Sequence, residues 1–303
     1  MNKLMRKLSI SILAVVFAVI AMGATTFAWF TLTNTAKVEP FDMNITGGEG
    51  VEISLDDGAS WSSIISATDF VTLVKAQQTI GTMPYLNAVT TENGYSGFKL
   101  IENIASTGVV TYKPVDAVKN VDYLEFKIMV RTANEGKAIY LSNSNTDITG
   151  TAFEWVADRT FIPVTGTSVN AGGTHSVNPA DAARISFDNG ASQYVFQAES
   201  SSTNTVVTSF DWEFGALNYY AISKNIDAST ATAPTVTLPT AIQLGSPYTA
   251  NPIVTTTNLS DGYATATITV HIWLEGWDTE CYNSILGRLF SVEIGFTTLT
   301  SAA

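Results

Sequence analysis

From Leu124 to Arg131 apolar and polar residues alternate without a break: Leu124, Phe126, Ile128 and Val130 share one parity, and Glu125, Lys127, Met129 and Arg131 the other. A strand turns successive side chains to opposite faces, so a segment patterned this way predicts one face against a core. The strand is read from Val121, and after the Asn134-Glu135-Gly136 turn Ala138, Tyr140 and Leu141 supply a partner. Near the end of the chain the pattern is stronger still. Ile268, Val270, Ile272 and Leu274 alternate with Thr269, His271, Trp273 and Glu275, and after an interruption Phe290, Val292, Ile294 and Phe296 alternate with polar residues. This phase places His271 and Trp273 on the outward face. Between these strands Gly276 is a stop, Asp278 an N-cap for a short helix over residues 279–286, and Gly287 a helix end. Val51, Ile53 and Leu55 lead through Asp57-Gly58 toward Trp61, the signature of a hairpin. Residues 64–80 are compatible with a short helix or a loop. Residues 142–206, rich in Ser, Thr, Asn, Ala and Gly, predict long surface loops joining short strands, with apolar islands at residues 153–156, 161–164 and 194–196, and residues 228–257 an edge strand or linker. Together these patterns predict an all-β fold, an antiparallel β-sandwich of jelly-roll type with long loops and one or two short helices.

The N-terminus breaks the pattern. Lys3, Arg6 and Lys7 are followed by a run from Ile10 to Met22 in which only Ser11 is polar, an N-terminal hydrophobic helix; Thr26 and Ala28 then supply small residues at the positions a signal peptidase reads. Cleavage between Ala28 and Trp29 is the first reading. The second is an uncleaved anchor, because no charge occurs between Leu8 and Ala36 and about 20 apolar residues span a bilayer. Beyond it Phe30, Leu32 and Val38 alternate with polar residues, Pro40 interrupts, and Phe41, Met43 and Ile45 resume. Proline cannot donate to a central ladder, so this strand belongs at an edge or across a bend. The division is thus residues 1–28 as signal, 29–46 as an N-terminal strand, and 47–303 as one domain with loop insertions around 142–206.

The passage from Gly23 through Ala28-Trp29-Phe30 to Thr31 resembles the signal and mature start of TasA and camelysin-like exported proteins of Gram-positive bacteria, which carry SipW-type signal peptides. The resemblance covers about a tenth of the chain. It implies a β-sandwich subunit of an extracellular biofilm-matrix fibre in which the mature N-terminal strand, here Phe30, Leu32, Val38, Phe41, Met43 and Ile45, completes the sheet of the next subunit. Partners implied are further copies of the chain, a signal peptidase during export, and accessory matrix or cell-wall proteins. The stretch from Trp273 to Cys281 also resembles a C-terminal motif of exported Gram-positive proteins with similar signals.

Charge and chemistry narrow the reading further. Removing Lys3, Arg6 and Lys7 takes the net charge from −12 to about −15, which disfavours nucleic acid as a partner and suits a secreted or cell-surface protein. The two histidines, His175 and His271, are distant in sequence, and no His-Glu-x-x-His pattern would hold a catalytic zinc. No Gly-x-Ser-x-Gly elbow is present either. No enzyme and no cofactor is therefore expected. Acidic pairs at Asp56-Asp57 and around Asp278 read as solvated turns in preference to calcium ligands. Cys281, the single cysteine, fits either a small buried hydrophobe or an interchain disulfide. Trp273 and Trp277, with Cys281, are candidates for interchain contact, since aromatic residues are enriched at interfaces. The functional expectation is a structural fibre subunit, with a membrane-anchored adhesin or binding module as the alternative.

Overall fold

Two long runs of alternation become the two strands on which the sheets are built. The computed structural model describes residues 42–48, 50–84, 86–106, 109–201, 214–223, 239–245 and 252–298, all within one unit spanning Glu39–Ala303. In chain order its elements are β1 (Asp42–Gly47), β2 (Glu52–Ser54), β3 (Ile64–Ile65), α1 (Ala67–Gln78), β4 (Ala88–Thr90), β5 (Lys99–Ser106), β6 (Val109–Asp116), β7 (Leu124–Thr132), β8 (Ala138–Leu141), β9 (Asp147–Gly150), β10 (Phe153–Val156), β11 (Thr174–Val177), β12 (Ala183–Asp188), β13 (Gln193–Gln197), α2 (Gly215–Ser223), β14 (Ile242–Gln243), β15 (Val254–Thr255), β16 (Thr257–Ser260), β17 (Tyr263–Glu275) and β18 (Phe290–Thr297). The fold is mostly β, as the alternation predicts.

β17 is the spine of a ten-stranded sheet. Along one side it pairs with β16 and then β12; along the other it pairs with β7 over Ala264–Ile272 and, where β7 leaves, with β4. β12 continues to β13 and β14, β4 to β5 and β6, and β7 to β2. The second sheet, ordered β15-β8-β18-β1-β3 with β9 also on β18, is built around β18. The sheets are mixed, not purely antiparallel: β1 runs parallel to β18, β4 to β17 and β14 to β13. Alternation within a strand fixes its buried face but leaves the direction of its neighbour open.

The inward residues of β7 and β17, among them Leu124, Phe126, Ile128, Val130, Ile268, Val270 and Ile272, are fully buried, as the parity predicts. Phe187 of β12 meets Phe296 of β18 with ring centroids 6.5 Å apart, which brings the two sheets together. The ambiguous stretch after Ile64 is helical. Ser66 caps it, its hydroxyl accepting from the Asp69 amide, and Phe70 packs edge-on against Phe126 at 5.0 Å. Gln77 near its end then behaves as a piece of strand, since its amide donates to the Leu55 and Lys127 carbonyls and accepts from the Lys127 amide. The hairpin at Asp57-Gly58 forms, both residues at positive φ, with Ile53 bridged to Ser62.

Two expectations are corrected in part. Residues 142–201 carry five short strands, two of them at the apolar islands 153–156 and 194–196, but the region is not all surface: β12 lies deep in the larger sheet with Ala183 to Phe187 buried. Small side chains such as Ala180, Ala182, Ala183 and Ala198, all at 0 % exposure, pack there without the bulky alternation that announces a strand. Residues 279–286 form no α-helix. Asp278 accepts from the Glu280 amide, but only a single 3-10 turn, Asn283–Ile285, follows.

Candidate functional site

Three places carry the chemistry and the assembly potential that the sequence points to. The first is β1. Met43 and Ile45, expected in the assembly strand, are both at 0 % exposure and lie opposite Val292 and Ile294 of β18 in parallel register. On its other side β1 pairs, among the described residues, with the two residues of β3. The turn that follows is tight: the Gly48 amide donates to the Phe296 carbonyl, and a Cβ at Gly48 would lie 2.5 Å from that oxygen. Ala28, Trp29, Phe30, Leu32, Val38 and Phe41, with the cleavage site and the start of the assembly strand, lie outside the described residues. At the far end of the larger sheet, the outer edge of the eight-residue β6 pairs with no strand among the described residues.

The second place is the end of β17. Trp273 and Trp277, expected on or beside an outward face, are 0 % and 1 % exposed, and Cys281 is buried too. The correction has a structural cause: the segment around Phe98 and Tyr123 folds over this end of β17, so its outward face becomes a second core. Phe98 stacks on Tyr123 at 4.1 Å and stands edge-on to Trp273 at 5.4 Å. Burial pushes the Cys281 thiol far above its ordinary range, with Asp278 and Glu275 adding to the shift, so it is no ready partner for an interchain disulfide in this state. Asp278 is no solvated turn. Its carboxylate, fully buried, takes a charge-assisted hydrogen bond from Arg184, whose other terminal nitrogen donates to the carbonyls of Ala183 (2.9 Å) and Asp181 (3.2 Å). Glu275 completes the cluster. It accepts from the Trp273 indole at 3.0 Å and the Trp277 amide at 3.2 Å, and burial pushes its carboxyl up to about 7 despite these bonds and the nearby guanidinium.

The third is His271, predicted at the surface and found at 2 % exposure for the same reason. Its Nδ1 lies 3.2 Å from Ser186 Oγ on β12 and its Nε2 3.3 Å from Glu125 Oε2 on β7. The His271 contact, with help from Lys119, holds the Glu125 carboxyl down at about 2. This Ser-His-Glu arrangement has the composition of a hydrolytic triad. It lacks the access: Ser186 is 0 % exposed and its hydroxyl donates to the Gly94 carbonyl. None of these partners was legible as a site, because the three residues come from strands far apart in sequence.

His175 sits apart from His271, on the β10–β11 ribbon opposite Trp155, edge-on to Phe161 and Tyr282; burial lowers its affinity for a proton. Among the described residues no group of three or more His, Cys, Asp or Glu could hold a metal ion. Asp56 is occupied by Ser54 and Ser60 within its own turn. No family model, curated protein or solved structure matches the chain.

Proposed function

We propose that the chain is a secreted structural subunit of an extracellular fibre or biofilm-matrix filament, built on a jelly-roll β-sandwich and assembling by donation of its N-terminal strand to a neighbouring copy. The observation that carries this reading is the position of β1. It is the first described strand and it fills its slot with Met43 and Ile45, yet among the described residues only β18 pairs along its whole length. A peripheral strand near a terminus can leave its own sheet and enter the same slot of another subunit, remaking the same contacts. The net cost is confined to the hinge at 47–50, which is the general logic of strand exchange. The resemblance at Ala28-Trp29-Phe30 supports export and a mature start immediately ahead of this strand. Self-association is then the main interaction, with signal peptidase acting during export.

The test is N-terminal mass spectrometry of the protein from culture supernatant and cell fractions, with electron microscopy of the full mature form and of a mature form whose β1 is tied to its own β18 by a crosslink between Asn44→Cys and Glu293→Cys made in the monomer. A chain beginning at Trp29 that forms filaments, while the tied form stays monomeric, supports donation. A chain that keeps Met1 to Ala28 and remains monomeric in membranes overturns it in favour of an anchored surface protein.

A further inference from the structure

Arg131, on the face of β7 turned away from the main core, is held by three neighbours. In the strand registers Glu52 of β2 stands opposite it on one side and Thr265 of β17 on the other. Its Nε donates to Glu52 Oε2 at 2.7 Å. Trp61, returning from the Asp57-Gly58 turn, has its ring centroid 4.5 Å from the guanidinium carbon, and Tyr263, at the start of β17, has its own at 4.0 Å. Stacking against rings leaves the guanidinium donors unspent, because they lie in its plane. Among the described residues neither terminal nitrogen of Arg131 has a hydrogen-bond partner. The side chain is 20 % exposed, so a ligand can reach it. Arg131 is thus a donor fork fixed in place before any ligand arrives.

We infer that Arg131, flanked by Trp61 and Tyr263, binds a carboxylate carried on a saccharide, that is, a uronic acid. The open fork matches the two oxygens of a carboxylate, which it can hold by two parallel hydrogen bonds. Lys127 lies on the same face four residues back, about 13 Å along the strand at about 3.4 Å a residue. It is exposed and makes no ion pair among the described residues, so it offers a second carboxylate a point charge. The surroundings favour a sugar over a peptide. A peptide docks on a sheet by adding to a strand edge, and β7 has no edge to give here. β17 pairs with it from Leu124 to Thr132, β2 pairs with residues 129–131, and the Gln77 side chain takes up the Lys127 amide and carbonyl. What the face presents instead is the 38 % exposed ring of Tyr263, the half-buried ring of Trp61, and the hydroxyls of Thr265 and Thr267. Such rings give a pyranose a flat apolar contact, and the hydroxyls both donate and accept. A net charge of −12 repels a dense polyanion, so the ligand carries its carboxylates singly, spaced by neutral sugars. The site belongs to the larger sheet and β1 to the smaller, so it stands whether or not β1 is exchanged.

The experiment is isothermal titration calorimetry of the full-length chain with a tetrasaccharide of alternating glucuronate and N-acetylglucosamine, and with the same tetrasaccharide after its carboxyl groups are reduced to alcohols. The acidic form is expected to bind, and the reduced form to bind about tenfold more weakly, because an alcohol cannot fill the fork. Arg131→Lys keeps the charge without the fork and should weaken the acidic form about tenfold. Trp61→Ala should weaken it about fivefold, while Arg159→Ala, at an exposed cation outside this face, should leave it unchanged. The comparison of the two saccharides needs no variant, so a failure of Arg131→Lys to fold leaves the test intact. Equal binding of the two forms, no binding at about 10 mM, or full affinity in Arg131→Lys overturns the site. A glutamate-containing peptide that binds as tightly as the acidic saccharide and is lost with Arg131→Lys overturns the assignment of a sugar.

Discussion

Arg184→Met offers the most demanding check on the buried cluster. The guanidinium is among the most deeply buried charged groups described, with 2 % of its side chain exposed, and Asp278 opposite it has none. Breaking a buried pair by removing one partner leaves the other charge without compensation and costs about 3–5 kcal/mol. Against a total stability of about 5–15 kcal/mol for an ordinary domain, that is a large fraction. Two further losses act in the same direction: the Ala183 and Asp181 carbonyls lose their donor, and Glu275 loses the cation that draws its carboxyl down. Both acids can escape by taking up protons, so the penalty should shrink below about pH 5. Urea unfolding followed by tryptophan fluorescence reads the effect directly, because Trp273 and Trp277 border the cluster. The midpoint should fall sharply at about pH 7 and less at about pH 5. The double variant Arg184→Met/Asp278→Leu should recover most of the loss, since well-packed apolar replacements of a buried pair are often neutral or better. A loss under about 1 kcal/mol at neutral pH, the size expected of an exposed pair, would refute the reasoning.

Other predictions follow from single contacts. Glu275 binds its proton more tightly folded, at about 7, than unfolded, at its ordinary 4.5. Its contribution to stability is therefore full below about pH 4.5 and lost as pH rises through about 7, amounting to ~3 kcal/mol, and Glu275→Gln should flatten that slope in pH-resolved denaturation. Phe126→Ala removes a fully buried ring that Phe70 meets edge-on and should cost about 3–5 kcal/mol in the same unfolding assay. Gly215→Ala at the start of α2 combines a φ of +74° with a Cβ 2.6 Å from the Thr279 carbonyl oxygen. It should destabilise the chain by about 1–3 kcal/mol and raise amide exchange in α2, and an unchanged thermal midpoint would count against the packing described.

The parts of this fold legible in the sequence are those where one face is dry and the other wet. β7, β17 and β18 declare themselves because Phe126, Val270 and Ile294 alternate with polar neighbours. β12 does not, since both of its faces are buried: Ile185 and Phe187 point into the main core while Arg184 and Ser186 point into the second one. The same second core misleads the reading of His271 and Trp273. Their parity is right, but parity says only that they oppose Ile272, and the loop carrying Phe98 that covers them arrives from about 175 residues away. Arg184, Glu275 and Asp278 look like ordinary surface charges for the same reason. Nothing local distinguishes a charge that will be exposed from one that will meet its partner across a sheet.

Strand donation is tested most directly by asking which chain each β1 comes from. Asn44 on β1 and Glu293 on β18 are exposed and paired in register, and the native Cys281 is buried. A variant with Asn44→Cys and Glu293→Cys is prepared in heavy-isotope and light-isotope forms, mixed as monomers, allowed to assemble, and joined with a short bis-thiol crosslinker before peptide mass spectrometry. The account predicts crosslinked peptides joining heavy and light chains in the filaments. Filaments whose crosslinks all lie within single chains would contradict it.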